Sequence, residues 1–195
     1  MTHIRSVCVY CGSSDGHDPR FVETARALGA AMAAAGIRLV YGGGTGGLMG
    51  EVARAVLAGG GEVSGIIPQF LVDREKLLGT AQDITIVDNM HVRKQQMFDK
   101  ADAFVTLPGG IGTLEELAEQ LTWVQLERHG KPVLIADIGG FWKPLLHLFA
   151  HMNEQGFLRP GYELRYVVAE KVGDILPMLE AAAERRLLET ELAAE

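Results

Sequence analysis

Cysteine is scarce. Cys8 and Cys11 are the two in 195 residues, too few for a disulfide framework. Their C-x-x-C spacing has no second Cys/His cluster to complete a zinc site. Positions three apart on a strand point to opposite faces, so both read as ordinary buried or strand-end thiols. Long apolar runs are also missing. No segment approaches the ~20 residues that span a bilayer, and the apolar run in MTHIRSVCVYCGSS is too short for a signal peptide. These two absences predict a cytoplasmic protein with no membrane partner. Positive charge is in deficit, with 18 Lys and Arg against 25 Asp and Glu and a formal charge of −7. No Lys/Arg-rich cluster offsets it, which argues against nucleic acid as a partner. A small nucleotide needs only local positive charge and stays open.

Several catalytic signatures are absent as well. The six histidines show no metal-ligand spacing: His147 and His151 are four apart on a helical stretch, without a following Glu or a third ligand. No metal site is expected. There is no Gly-x-Ser-x-Gly elbow, which removes support for a serine hydrolase. No Gly-Lys-Ser/Thr follows the glycines, which removes support for a P-loop ATPase or kinase.

What the chain does contain is alternation. Apolar runs at Ser6–Tyr10, Ile37–Tyr41, Glu62–Ile67, Ile84–Val87, Ala103–Leu107, Lys131–Ala136 and Tyr166–Ala169 read as strands. Helical patterns separate them, from Asp18-Pro19 to about Ala35, after Gly50 to about Leu57, from Asn89 to about Lys100, and from Thr113 to about Glu127. Two more cover Phe141–Gln155 and Ile175–Leu192. Gln69 to Asp83 reads as an irregular charged loop over a site. Forty-eight per cent hydrophobic residues and 24 glycines suit a turn-rich α/β chain. The expectation is a single Rossmann-like, doubly wound parallel sheet with helices on both faces, one domain over residues 1–195 whose last ten residues, 186–195, form a helical tail.

The chain is organised around Leu107 to Glu116, LPGGIGTLEE. A strand, a Gly-rich turn and a helix collect backbone N–H groups and a positive helix end at one point, suited to phosphate. A rival reading fits the same residues. Thr113 and Glu116 match a capping box in the first helical turn, with no ligand at all. A second Gly-rich turn, Gly42 to Gly47, matches G-x-G-x-x-G between strand and helix. The acid that should follow it by about twenty residues in a dinucleotide site is missing, since that strand ends Ile66-Ile67-Pro68-Gln69. A tight turn bringing glycine backbone close to another part of the site explains it equally well. Arg93 and Lys94 open a helix and diverge by about 100° around it. One can enter a cleft while the other faces its rim, although a solvated basic pair is the simpler expectation.

In their order and spacing, GGGTGGLMG, MHVRKQQM (Met90 to Met97) and LPGGIGTLEE resemble the LOG family of cytokinin riboside 5′-monophosphate phosphoribohydrolases, long mislabelled as lysine decarboxylases. The resemblance runs from Cys11 to the helix after Val133. It implies Arg93 and Glu116 as the catalytic pair. It further implies Glu75, Lys94, Gly110, Ile111, Gly112, Thr113, Leu114, Glu115 and Thr122 as substrate-binding positions. It implies hydrolysis of the N-glycosidic bond of adenosine 5′-monophosphate or an N6-modified form, with no cofactor and no metal, in a homo-oligomer that is a dimer or higher. The alternative is a non-catalytic nucleotide-binding or carrier protein of the same fold. Lysine decarboxylation ranks below both, because no lysine has the context of a pyridoxal phosphate Schiff base.

Overall fold

The computed structural model describes residues 4–72, 83–159 and 161–192. Seven strands form one parallel sheet: β1 (Ser6–Tyr10), β2 (Arg38–Tyr41), β3 (Val63–Pro68), β4 (Asp83–Val87), β5 (Ala103–Thr106), β6 (Val133–Ala136) and β7 (Val167–Ala169). The order across the sheet is β4-β3-β2-β1-β5-β6-β7, and every pairing is parallel. The chain winds outward from β1 in one direction and resumes at β5 on its other side. The order therefore reverses between β1 and β5, and the crevice at their carboxyl ends is where such sheets bind ligands.

Helices α1 (Pro19–Ala34), α2 (Gly47–Ala58), the one-turn α3 (Gln69–Val72), α4 (Met90–Lys100), α5 (Ile111–Gln125), α6 (Lys143–Glu154) and α7 (Val172–Leu192) connect and cover the strands. Side-chain alternation along β1 divides the core in two. Val7, Val9 and Cys11 pack with Leu28 and Met32 of α1, Val52 of α2 and Ile175 and Leu179 of α7. Cys8 and Tyr10 pack on the other face with Met97 of α4 and Leu117 and Leu121 of α5. The two cysteines thus face opposite layers as buried free thiols. With both faces covered, the central strands β1 and β5 are buried along their whole length and mainly apolar, as suits a parallel sheet.

The element boundaries sit close to those read from the sequence. Asp18 caps α1, accepting from Arg20 N at 2.9 Å, with Pro19 at the first helical position. Gly36, at φ +67°, ends that helix in the left-handed conformation glycine tolerates best. Where the sequence suggested only a charged loop, Gln69–Val72 forms the short helix α3; residues 73–82 lie outside the described residues. A 3₁₀ turn, Ile138–Gly140, precedes α6 and delays its start to Lys143. The last helix begins earlier than expected, at Val172, and continues unbroken past Arg186.

Helices α1 and α2 approach closely at Gly29. A β-carbon there would lie 2.5 Å from the Val52 carbonyl oxygen and 2.7 Å from Ala55 Cβ. Alanine gains up to about 1 kcal/mol in helix propensity, but overpacking against backbone costs about 1–3 kcal/mol. Gly29→Ala is therefore expected to lower the melting temperature. A thermal melt showing unchanged or raised stability would contradict this packing.

Candidate active site

Three loops meet at the carboxyl ends of β1, β2 and β5. Gly12 N donates to the Pro108 carbonyl at 3.0 Å, and Met49 N donates to the Gly12 carbonyl at 3.3 Å. The contacts are so close that side chains are barred at particular positions. A β-carbon on Gly47 would collide with Ser13 and Ser14 backbone, and one on Gly109 with Thr113. Gly47 also holds φ at +54°, so substitution there is strained on two counts. Between the loop after β1 and the Pro108–Gly110 loop lies a cavity of about 220 Å³, lined in part by Ser14, Asp15, Pro108 and Gly110.

Helix α5 starts beside this cavity. Its N-cap is Gly110, with no side chain capping it, and its first residue is Ile111. The capping box expected at Thr113 is therefore absent. Thr113 is the third residue of the helix and is buried, while Glu116 belongs to the second turn. The cause is the glycine loop itself, which takes up helical geometry two residues before threonine. The amides of Ile111, Gly112 and Thr113 consequently have no intrahelical acceptor. At Gly110 and Gly112 no atom lies within 4 Å of where a β-carbon would stand. Open space, bare N–H groups and a positive helix end coincide here, the arrangement that receives a phosphate.

Arg93 comes from the start of α4, where Asn89 caps the helix by accepting from Val92 N at 3.0 Å. The solvated basic pair is not what forms. Arg93 is 7% exposed, and its guanidinium bridges the ends of two strands. Nε donates to the Ile66 carbonyl at 3.1 Å and Nη2 to the Gly42 carbonyl at 3.2 Å. A β-carbon on Gly42 would overlap Nη2, so the first glycine of the G-x-G-x-x-G stretch exists to admit this arginine. Two of the five N–H donors are used on these carbonyls. Lys94, one position on, turns to α5 and pairs with Glu115 at 2.6 Å and Glu119 at 3.0 Å. Burial opposes its charge, but its hydrogen bonds to Glu115 and Glu119 outweigh this and hold its pKa above the usual value.

Glu116 is half-buried. Burial pushes its carboxyl up to about 7; Arg93 and Lys94 pull it down, and Glu115 and Glu119 push it up. Burial also raises the Cys8 and Cys11 thiols well above their usual range, and negative charge at Glu116 adds to the effect. Glu116 thus stands by the end of β1, where the sheet order reverses. A carboxyl that titrates near neutrality beside a fixed cation is suited to acid–base work.

The structure therefore brings Arg93, Lys94, Glu115, Glu116 and the Gly110–Leu114 segment to one region. It does not bring Thr122 there: that residue is exposed about three turns along α5, its hydroxyl donating to the Ala118 carbonyl at 2.7 Å. Glu75 lies outside the described residues. Ser14 and Asp15, which are not among the candidates read from the sequence, also line the cavity. The signal available was position, since a Gly/Ser/Asp loop following β1 falls at the switch point once the strand order is known.

Fold and site together define a Rossmann-like α/β protein with an uncapped Gly-loop helix start, a buried arginine and a neutral-range carboxyl. More narrowly, the chain belongs to the LOG family, whose model, described as "Possible lysine decarboxylase", matches residues 49–179. It is 42% identical over 180 residues to the "Probable cytokinin riboside 5'-monophosphate phosphoribohydrolase LOG4" of Oryza sativa subsp. japonica, covering 92% of this chain and 78% of that one. It is also 42% identical over 179 residues to the Arabidopsis thaliana cytokinin riboside 5'-monophosphate phosphoribohydrolase LOG7, covering 92% and 82%. Among solved structures, the Moco carrier protein of Chlamydomonas reinhardtii superposes with a TM-score of 0.70 at 18% identity, covering 94% of this chain and 99% of that one. The molybdenum cofactor binding protein of Rippkaea orientalis gives 0.68, also at 18%, covering 93% and 98%. At that identity the likeness is one of fold.

A carboxyl raised from 4.5 to about 7 binds a proton more tightly in the native state than in the unfolded one. Stability therefore falls as pH rises from about 4.5 to about 7 and stays lower above it. Glu116→Gln removes this cost. The variant is expected to be more stable than the parent at pH 8, by about 2 kcal/mol after allowing for partial exposure, and level with it near pH 4.5. Melting temperatures of both proteins across this range decide the matter. A variant no more stable at pH 8 would refute the burial of this charge.

Proposed function

We propose that the protein hydrolyses the N-glycosidic bond of adenosine 5′-monophosphate or its N6-modified forms, releasing the free base and ribose 5-phosphate. The observation that carries this reading is Glu116, a carboxyl raised to about 7 in the turn following an uncapped Gly110 helix start. The relatives' names support it from sequence.

The 5′-phosphate sits on the amides of Gly110 to Thr113, which anchors the ribose by a group remote from the reacting carbon. Cleavage leaves the bonding pair with the base and builds positive charge on the ribose ring. Glu116 as carboxylate stabilises that charge. It then takes a proton from the water whose oxygen bonds to the anomeric carbon and releases it to solvent, while the departing base takes one from solvent, so that protons balance over the reaction. General-base help of this kind contributes typically 10²–10⁴-fold. Arg93 uses its remaining donors to hold substrate oxygens. Glu75, Lys94, Leu114 and Glu115 complete the proposed substrate-binding set. Lys94, ion-paired to two glutamates, is ill placed for Schiff-base chemistry.

Homo-oligomerisation belongs to the same reading. Ile111 is 82% exposed at the start of α5 and Val92 37% exposed on α4, both beside the site. Among the described residues no helix is long and apolar enough to cross a membrane, and a cytoplasmic location is part of the proposal.

Incubation of the purified protein with adenosine 5′-monophosphate and with isopentenyladenosine monophosphate tests the reading directly. Free base and ribose 5-phosphate are expected from at least one, with turnover lowered about 10²-fold or more in Glu116→Gln. Binding without release from either would favour a carrier instead. Gly42→Ala is expected to lower kcat/KM about 10²-fold by displacing Arg93. Near-normal activity in that variant would separate Arg93 from the reaction.

A further inference from the structure

At the opposite edge of the sheet, a cleft of about 310 Å³ opens between the starts of β6 and β7 and the second half of α7. The four residues of β6 separate its level from that of the carboxyl-end site by about 13 Å along the strands. Its floor is apolar, with Val133 and Val167 contributing. Lys131, Arg165, Arg185 and Arg186 stand around it, and among the described residues Glu189 is the single acid in its lining. That is a local excess of three positive charges on a chain whose formal net charge is −7.

The arginines and the lysine are held in different ways. Lys131 Nζ donates to the Phe98 carbonyl at 2.7 Å and lies 3.8 Å above the Phe98 ring. Burial lowers its pKa against the opposing pull of Asp102 and Asp99. Arg185 directs Nε to the Ala181 carbonyl at 3.3 Å, one donor of its five. Arg186 pairs with Glu189 at 3.2 Å. Arg165 is exposed at the rim, close enough to Glu163 for its charge to help lower that carboxyl, behind backbone hydrogen bonds from Gly161 and Glu163 itself. Like charges gathered this closely repel, and a multivalent anion relieves the repulsion. Guanidinium forks match phosphate oxygens in geometry as well as charge. The cleft is at the small end of ligand cavities, too tight for a polymer. Arg185, Arg186 and Glu189 lie beyond residue 179, where the family match ends.

We propose that this cleft is a second anion site, which takes a small phosphorylated metabolite with its phosphoryl group on Arg165, Arg185 and Arg186 and its carbon skeleton over Val133 and Val167. It is separate from the Gly-loop site and does not depend on the reaction assigned there.

The test is a titration of ¹⁵N-labelled protein with inorganic pyrophosphate, followed by amide resonances. Saturable shifts are expected at Val133 and Val167, with a dissociation constant distinct from that reported by Gly110 and Gly112. The double variant Arg165→Ala/Arg185→Ala alters two exposed side chains, so its circular dichroism spectrum is expected to be unchanged. It should weaken the constant at Val133 and Val167 about tenfold or more and leave the Gly110 and Gly112 response intact. Glu189→Gln, which removes the one acid, should tighten the same constant severalfold. Absence of saturable shifts at Val133 and Val167, or an equal constant in the double variant, would overturn the proposal. An unchanged or weaker constant in Glu189→Gln would count against it in the same way.

Discussion

A buried guanidinium that rests on carbonyl oxygens governs the candidate site. Arg93 is anchored to the ends of β2 and β3 through Gly42 and Ile66. Removing an arginine from water is costly unless its donors are satisfied, and here backbone dipoles satisfy two of them. The arrangement needs a residue without a side chain at position 42. It also needs a helix that starts at Asn89 and sweeps back across the sheet from the edge strand β4 to β5. Arg93 is therefore fixed before any ligand arrives. Its charge is spent on no carboxylate in the described contacts and remains available to the site.

Glu116 acquires its character from this setting. Burial is the main drive that raises its carboxyl, with Glu115 and Glu119 adding to it, and Arg93 and Lys94 oppose the drive. The resulting balance sits near neutrality, where one carboxyl can hold or release a proton at little cost. The native state bears some of that cost as lost stability, a common trade at catalytic positions. The neighbouring amides of α5 supply the other half of the site, since a glycine cap leaves them for an external anion.

Much of this was legible in the residues. Strand and helix alternation gave the doubly wound sheet, because period and punctuation survive burial in a parallel architecture. The strand–Gly loop–helix reading of Leu107 to Glu116 named the correct turn. It misjudged the start of α5, since Thr113 and Glu116 satisfy a capping pattern whose first member the glycine loop displaces by three positions. The Gly42 to Gly47 stretch carried two meanings, and sequence had no means to choose. Only the tertiary approach of Arg93, fifty-one residues away, shows what the first glycine is for. Ser14 and Asp15 were unreadable for a similar reason: their importance follows from β1 and β5 being neighbours, which no local pattern encodes. Lys94 meets Glu115 and Glu119 on α5, partners that sequence spacing alone does not reveal.

Glu116 holds a proton whose affinity is set chiefly by burial against the pull of Arg93. Titration of its side-chain carboxyl by ¹³C nuclear magnetic resonance, with the signal assigned by its loss in Glu116→Gln, measures this directly. A midpoint near 7 is the result this account predicts. A midpoint in the ordinary carboxylate range, near 4.5, would contradict it and remove Glu116 from the role given to it.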